Sequence, residues 1–145
     1  NLLIKELINK KNLKNITVIE KIDNINQKTF DFVYFGSVIQ YLKNYEEILE
    51  KILIMKPKYV FFSGTNFYFN YSEEKLISKQ LNVFPQINYC YFFKFSYFKN
   101  LLYSRGYSLD YVAENLHGNL INYKHMNKKI NDHCKYFDVL FKLNE

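Results

Sequence analysis

The sequence predicts an α/β domain built on a doubly wound, mostly parallel sheet, and three observations carry that prediction. Two segments, Phe30–Phe35 and Tyr59–Phe62, are near-continuous apolar runs, as expected of strands covered on both faces. Between them Tyr45, Ile48, Leu49, Ile52 and Leu53 share one helical face of the stretch Asn44–Met55. With only 4 glycines and 2 prolines, the chain also argues against a loop-rich β architecture. Strands that alternate with helices in this way imply a parallel sheet.

Each element follows from local chemistry. Leu2, Leu3, Leu7 and Ile8 recur at helical spacing and predict an amphipathic helix, which Asn12–Asn15 breaks. The β-branched run Ile16–Ile19 predicts a strand. Gly36 and Ser37 end the Phe30–Phe35 strand, which Asp31 opens as a structural cap. Asn44 is placed to cap the next helix, with Glu46 and Glu47 in the first turn, where the helix dipole favours negative charge. Pro57 stops that helix because it has no N–H to donate. Ser72 predicts a short helix reaching Gln80, and Ser96 predicts a second over Tyr97–Arg105, closed by Gly106. Tyr107–Ala113 and Tyr136–Leu143 alternate as strands. No helix separates them, so one is expected to run antiparallel. Tyr34 is expected in the core, and Tyr41 beyond the strand's carboxyl end.

Composition limits the function classes. A chain of 145 residues, 48% hydrophobic and 19% aromatic, is a folded protein of single-domain size rather than a disordered one. The net charge of +6 is spread along the sequence without a cationic stripe, which disfavours nucleic acid as a partner. No apolar run is long enough for a bilayer, so no membrane partner is expected. Two cysteines and no signal-peptide core suit a cytoplasmic protein. The chain begins at Asn rather than Met, so a preceding segment is expected. His117, His125 and His133 recur every eight residues, with Cys134 beside the last, a looser spacing than zinc sites use; no metal is expected.

At Phe30-Asp31-Phe32-Val33-Tyr34-Phe35-Gly36-Ser37-Val38-Ile39-Gln40-Tyr41-Leu42 the sequence resembles the fourth strand and following loop of class I S-adenosylmethionine-dependent methyltransferases. Leu53–Phe62 is similar to their helix, turn and fifth strand. The resemblance continues through Phe84-Pro85-Gln86, Asn88-Tyr89-Cys90 and Leu101–Tyr107 to Tyr136–Phe141, and is closest to a family of bacterial methyltransferases found with surface-polysaccharide genes. After the fifth strand that family has an acidic residue, then Arg, Thr and Pro; here Ser63-Gly64-Thr65-Asn66 keeps only the Thr.

The resemblance implies a Rossmann-like methyltransferase fold of strand order 3-2-1-4-5-7-6, incomplete here and lacking the first two strands. Residues 1–145 would then be the C-terminal part of such a domain. The Gly-rich turn and the acidic strand end that hold the cofactor in that fold have no counterpart in the sequence. Ile16–Ile19 would be the third strand, leaving an open edge on the fourth that invites self-association.

The same resemblance implies S-adenosylmethionine as cofactor and a small-molecule or glycan acceptor. Asp23, Gly36, Ser37 and Tyr41 are the candidate cofactor contacts, and Gln40, Thr65, Asn66 and Tyr89 the candidate acceptor contacts. Each has a plainer role to set against these: loop polarity for Asp23, Ser37, Gln40 and Tyr41, turn chemistry for Thr65 and Asn66, and core packing for Tyr89. A catalytic residue is not assigned; His117 is a candidate base, since neutral imidazole accepts a proton near pH 7. The expected activity is methyl transfer to an oxygen or nitrogen acceptor, with a sugar of a surface polysaccharide as a candidate. Its rivals are a non-catalytic α/β interaction module and an RNA-binding domain using Tyr and Lys.

Overall fold

The computed structural model describes residues 2–12, 14–25, 29–69, 76–83, 85–116 and 133–145. Helix α1 spans Leu2–Lys10, strand β1 Phe32–Gly36, helix α2 Tyr45–Ile54 and strand β2 Tyr59–Tyr68. Strands β3, Leu76–Val83, and β4, Gln86–Lys94, form a hairpin; helix α3, Phe95–Tyr103, and strands β5, Tyr107–Glu114, and β6, Cys134–Leu143, follow. The sheet order is β3-β4-β2-β6-β5, with β1 also on β2.

Strand β2 organises the molecule. Its first half pairs in parallel with β1, Phe32 opposite Tyr59 through Gly36 opposite Ser63, and α2 makes the crossover between them. Its other edge pairs antiparallel with β6, which in turn pairs antiparallel with β5. The order β1-β2-β6-β5 is the 4-5-7-6 portion of the expected strand order. Beyond the end of β1, the last residues of β4 take over that edge, Phe93 opposite Phe67 and Lys94 opposite Tyr68, in parallel.

The main core lies on one face of the sheet. Phe35, Val60, Phe62, Val139 and Phe141 meet Leu49 and Leu53 of α2 and Phe98 and Leu102 of α3. Phe62 is fully buried, stacked on Phe35 at 5.0 Å and edge-on to Phe98 at 4.9 Å. Burying each such side chain contributes roughly 1.5–3 kcal/mol. The Tyr107 hydroxyl, buried beside this core, donates to Pro57 O at 2.8 Å, and burial pushes its pKa up to about 12.

Several expectations need correction. Tyr34 is 60% exposed, because it stands with Phe32 and Phe61 on the face opposite the α2 and α3 cluster. Ile16–Ile19 forms no strand; it pairs with none of the strands among the described residues, and Ile16 and Ile19 are exposed. The expected helix from Ser72 to Gln80 fails over its described part, where residues 76–80 belong to β3. Pairing with β4 overrides the weak helical pattern there. Helix α3 begins at Phe95, ahead of the expected cap Ser96, and Asn44 precedes α2 without a side-chain capping bond. No helix among the described residues is long and apolar enough to cross a membrane.

Candidate functional site

Open α/β sheets bind ligands at the carboxyl ends of their strands, and here the carboxyl end of β1 meets the middle of β2 in a polar knot. Gly36 ends β1, and Ser37 turns the chain with φ 51, a left-handed conformation that costs a non-glycine residue energy. Its N–H donates to Ser63 O at 2.8 Å. Opposite, β2 bulges between Phe62 and Thr65, and Gly64 takes φ +57. A Cβ at Gly64 would meet Ser37 Oγ, which a serine rotamer change relieves, so it is the backbone angle that favours glycine there.

Asp138 of β6 holds the bulge open. Its Oδ1 accepts from Ser63 Oγ at 2.9 Å, from Gly64 N at 2.8 Å and from Asn115 Nδ2 at 3.2 Å. Gln40, 1% exposed within the 3-10 turn Ile39–Tyr41, donates through Nε2 to Gly64 O at 3.1 Å. Its Oε1 has no hydrogen-bond partner among the described residues, nor has Thr65 Oγ1, although both are buried. Buried polar atoms are nearly always paired. Two of the three unpaired buried side-chain oxygens among the described residues flank one glycine; the third is Ser78 Oγ on β3.

The next layer is thiol and phenol. Asn66, also buried, donates from Nδ2 to Cys90 Sγ on β4 at 2.8 Å. The Tyr41 ring is 40% exposed, while its hydroxyl tucks against the hairpin and donates to Gln80 Oε1 at 3.3 Å. Burial pushes Cys90 up to about 11 and Tyr41 up to about 12. Both stay protonated at neutral pH, so Cys90 is a buried thiol and not a thiolate nucleophile.

The structure thus gathers Gly36, Ser37, Gln40, Thr65 and Asn66 around Gly64, with Tyr41 at the border of the hairpin. Tyr89 is 60% exposed on β4 and lines a groove with Tyr41, which removes core packing as its role. Asp23 is engaged elsewhere, receiving Lys51 Nζ of α2 at 2.8 Å on the surface. His117 and His125 lie outside the described residues. Among the described residues no group of three or more His, Cys, Asp or Glu is arranged to hold a metal ion. Sequence reasoning missed Asp138 and the whole β4 strand. The strand was legible, since Ile87, Tyr89, Tyr91 and Phe93 alternate with Asn88, Cys90 and Phe92.

Solved structures match this architecture. An S-adenosylmethionine-dependent methyltransferase from Clostridium acetobutylicum superposes with TM-score 0.58 at 12% identity, over 97% of this chain and 70% of that one. A Listeria monocytogenes protein assigned the same activity gives 0.58 at 10% identity, over 97% and 76%. A Methanosarcina mazei protein, likewise described as an S-adenosylmethionine-dependent methyltransferase, gives 0.54 at 14%, over 88% and 67%. No family model and no curated protein matches the sequence. The chain has the Rossmann-like methyltransferase fold; at these identities the likeness speaks for the fold alone.

The residues present do not by themselves make a holder for S-adenosylmethionine. Close backbone approach to such a ligand needs an open glycine. A Cβ at Gly36 would lie 2.6 Å from the ring of Tyr34, and the space beside Gly64 is taken by Ser37. The two orphaned oxygens are sealed inside the protein, Gln40 at 1% and Thr65 at 0% exposure, so the exposed polar surface at the end of β1 is that of Gly36 and Ser37.

Proposed function

We propose that the chain serves S-adenosylmethionine-dependent methyl transfer to an oxygen or nitrogen acceptor, as the C-terminal part of a methyltransferase domain. The observation that carries this reading is the strand order β1-β2-β6-β5, with polar groups converging at the carboxyl ends of its parallel pair. The exposed Phe32 and Tyr34 face and the unpartnered outer edge of β1, among the described residues, suit docking of the cofactor-holding half. In this arrangement Gly36 and Ser37 border the site, Gln40 and Thr65 support it from beneath, and Asp138 fixes the bulge that positions them. The chain's own contribution is to place an acceptor and exclude water, which is most of what a displacement reaction needs from a protein. A sugar of a surface polysaccharide is the acceptor that the sequence resemblance favours. The protein is proposed to work in the cytoplasm.

The filled spaces beside Gly36 and Gly64 favour a second reading, a non-catalytic α/β module that keeps the half-sheet and binds no cofactor. Methyl transfer is tested by joining the chain to a segment carrying a Gly-rich turn and an acidic strand end. Radiolabelled methyl transfer to hydroxyl and amine acceptors is then measured. Activity that falls at least tenfold in Gln40→Ala, the scale of one lost buried hydrogen bond, is expected. A joined protein that neither binds cofactor nor transfers a methyl group leaves the non-catalytic module.

A further inference from the structure

We propose that the groove between the β3–β4 hairpin and the segment after β1 binds a small hydroxylated ring compound carrying a phosphate or carboxylate, such as an acidic or phosphorylated sugar. The acceptor role of that compound rests on the methyl-transfer reading; its binding does not.

The groove encloses about 690 Å³, within the range of small-molecule sites. Tyr41 and Lys43 form one wall, and Ile77, Ile87, Tyr89 and Tyr91 the other. The hairpin's two faces differ sharply. Cys90 and Phe92 point into the protein and are buried, whereas Ile77, Ile87 and Tyr89 are 53%, 46% and 60% exposed on the opposite side. Isolated exposed apolar residues are ordinary, but a contiguous set walling a cavity is a binding surface. Tyrosine rings suit a hydroxylated ring, because they combine a flat apolar face with a hydroxyl at its edge.

Charge selects the anion. Lys43 is exposed at the groove and has no hydrogen bond or ion pair among the described residues. Lys79, the cross-strand partner of Tyr89, brings a second ammonium to the same hairpin face. The neighbouring carboxylates lie outside the groove: Glu46 and Glu47 line other clefts, and Glu47 pairs with Lys51 at 3.0 Å. The balance at the groove is therefore positive. Single-stranded RNA would also use tyrosine and lysine, but it needs a cationic track several nucleotides long, and this groove has the dimensions of one small ligand.

The test is titration of the full chain with glucose 6-phosphate and galacturonate, without S-adenosylmethionine, against glucose, inorganic phosphate and an oligouridylate. Both anionic sugars are expected to bind more tightly than glucose or phosphate alone. Lys43→Gln and Tyr89→Ala should each weaken them roughly tenfold, the scale of one charge-assisted hydrogen bond or one aromatic contact. Both positions are exposed, so folding is retained, and Tyr103→Ala on α3 should change nothing. No binding of either sugar, equal binding of glucose or phosphate, indifference to both groove substitutions, or tighter binding of the oligouridylate would each overturn the proposal. Sugar binding without methyl transfer in the joined protein removes the acceptor role and keeps the groove. Methylation of an acceptor indifferent to Lys43 and Tyr89 keeps methyl transfer and likewise removes the acceptor role of the groove's ligand.

Discussion

The two halves of β2 are buried alike and built on opposite principles. From Tyr59 to Phe62 the strand is apolar, lies between β1 and β6, and sends Val60 and Phe62 into a core where aromatic rings meet at about van der Waals contact. From Ser63 to Asn66 it is polar, bulged and left-handed at one residue, with Thr65 and Asn66 fully buried. A fold needs only the first kind of construction. The second costs stability, since an unpaired buried polar atom carries a desolvation penalty of about 1–3 kcal/mol, and proteins keep such costs at functional sites.

That contrast is most easily broken at the apolar half. Phe62→Ala should cost about 3–5 kcal/mol in a denaturant melt, as truncation of a buried ring does. Tyr34→Ala, on the exposed face of β1, should cost about 1 kcal/mol or less. Equal losses would mean that the exposed face is covered in solution.

In the polar half, Asp138→Ala should cost about 2–3 kcal/mol, because the Gly64 N–H and Ser63 hydroxyl lose a charged acceptor. A loss below 0.5 kcal/mol would show that the bulge stands without it.

Alkaline pH acts on the same region. Burial raises the Cys90 thiol from 9.0 to about 11, so between these values the folded state holds a proton that the unfolded chain has released. Stability is therefore complete below about pH 9 and falls as pH rises toward 11. Melting temperature across that interval should fall less steeply in Cys90→Ala than in the parent; identical slopes would remove the thiol from the account. Thr65→Val runs the other way and is expected to stabilise the protein by about 1 kcal/mol, since it removes a buried hydroxyl that makes no hydrogen bond. A loss above 1 kcal/mol would reveal a partner for that hydroxyl.

The apolar half of this molecule was readable in advance. Phe30–Phe35, Tyr59–Phe62 and the helix between them announce themselves by hydrophobic continuity and periodicity, and they pair as expected. Tyr34 was misplaced because a strand coated on both sides with aromatics does not reveal which face is covered. The hairpin was missed for a related reason: β3 carries a mixed pattern that becomes a strand only when β4 supplies its ladder. At the site, Gln40 and Thr65 could be nominated by position along the strands. The orphaning of their oxygens, and the three donors gathered by Asp138 from 23 to 75 residues away, exist only in three dimensions.

The central claim is that this chain furnishes one wall of a cofactor site and not the whole of it. Calorimetric titration of S-adenosylmethionine tests it directly, first on the 145-residue chain and then on the chain joined to a Gly-rich turn and an acidic strand end. The account predicts no binding in the micromolar range by the chain alone and recovery of such binding in the joined protein. Micromolar binding by the chain alone would contradict it, because the polar knot around Gly64 would then be a complete site.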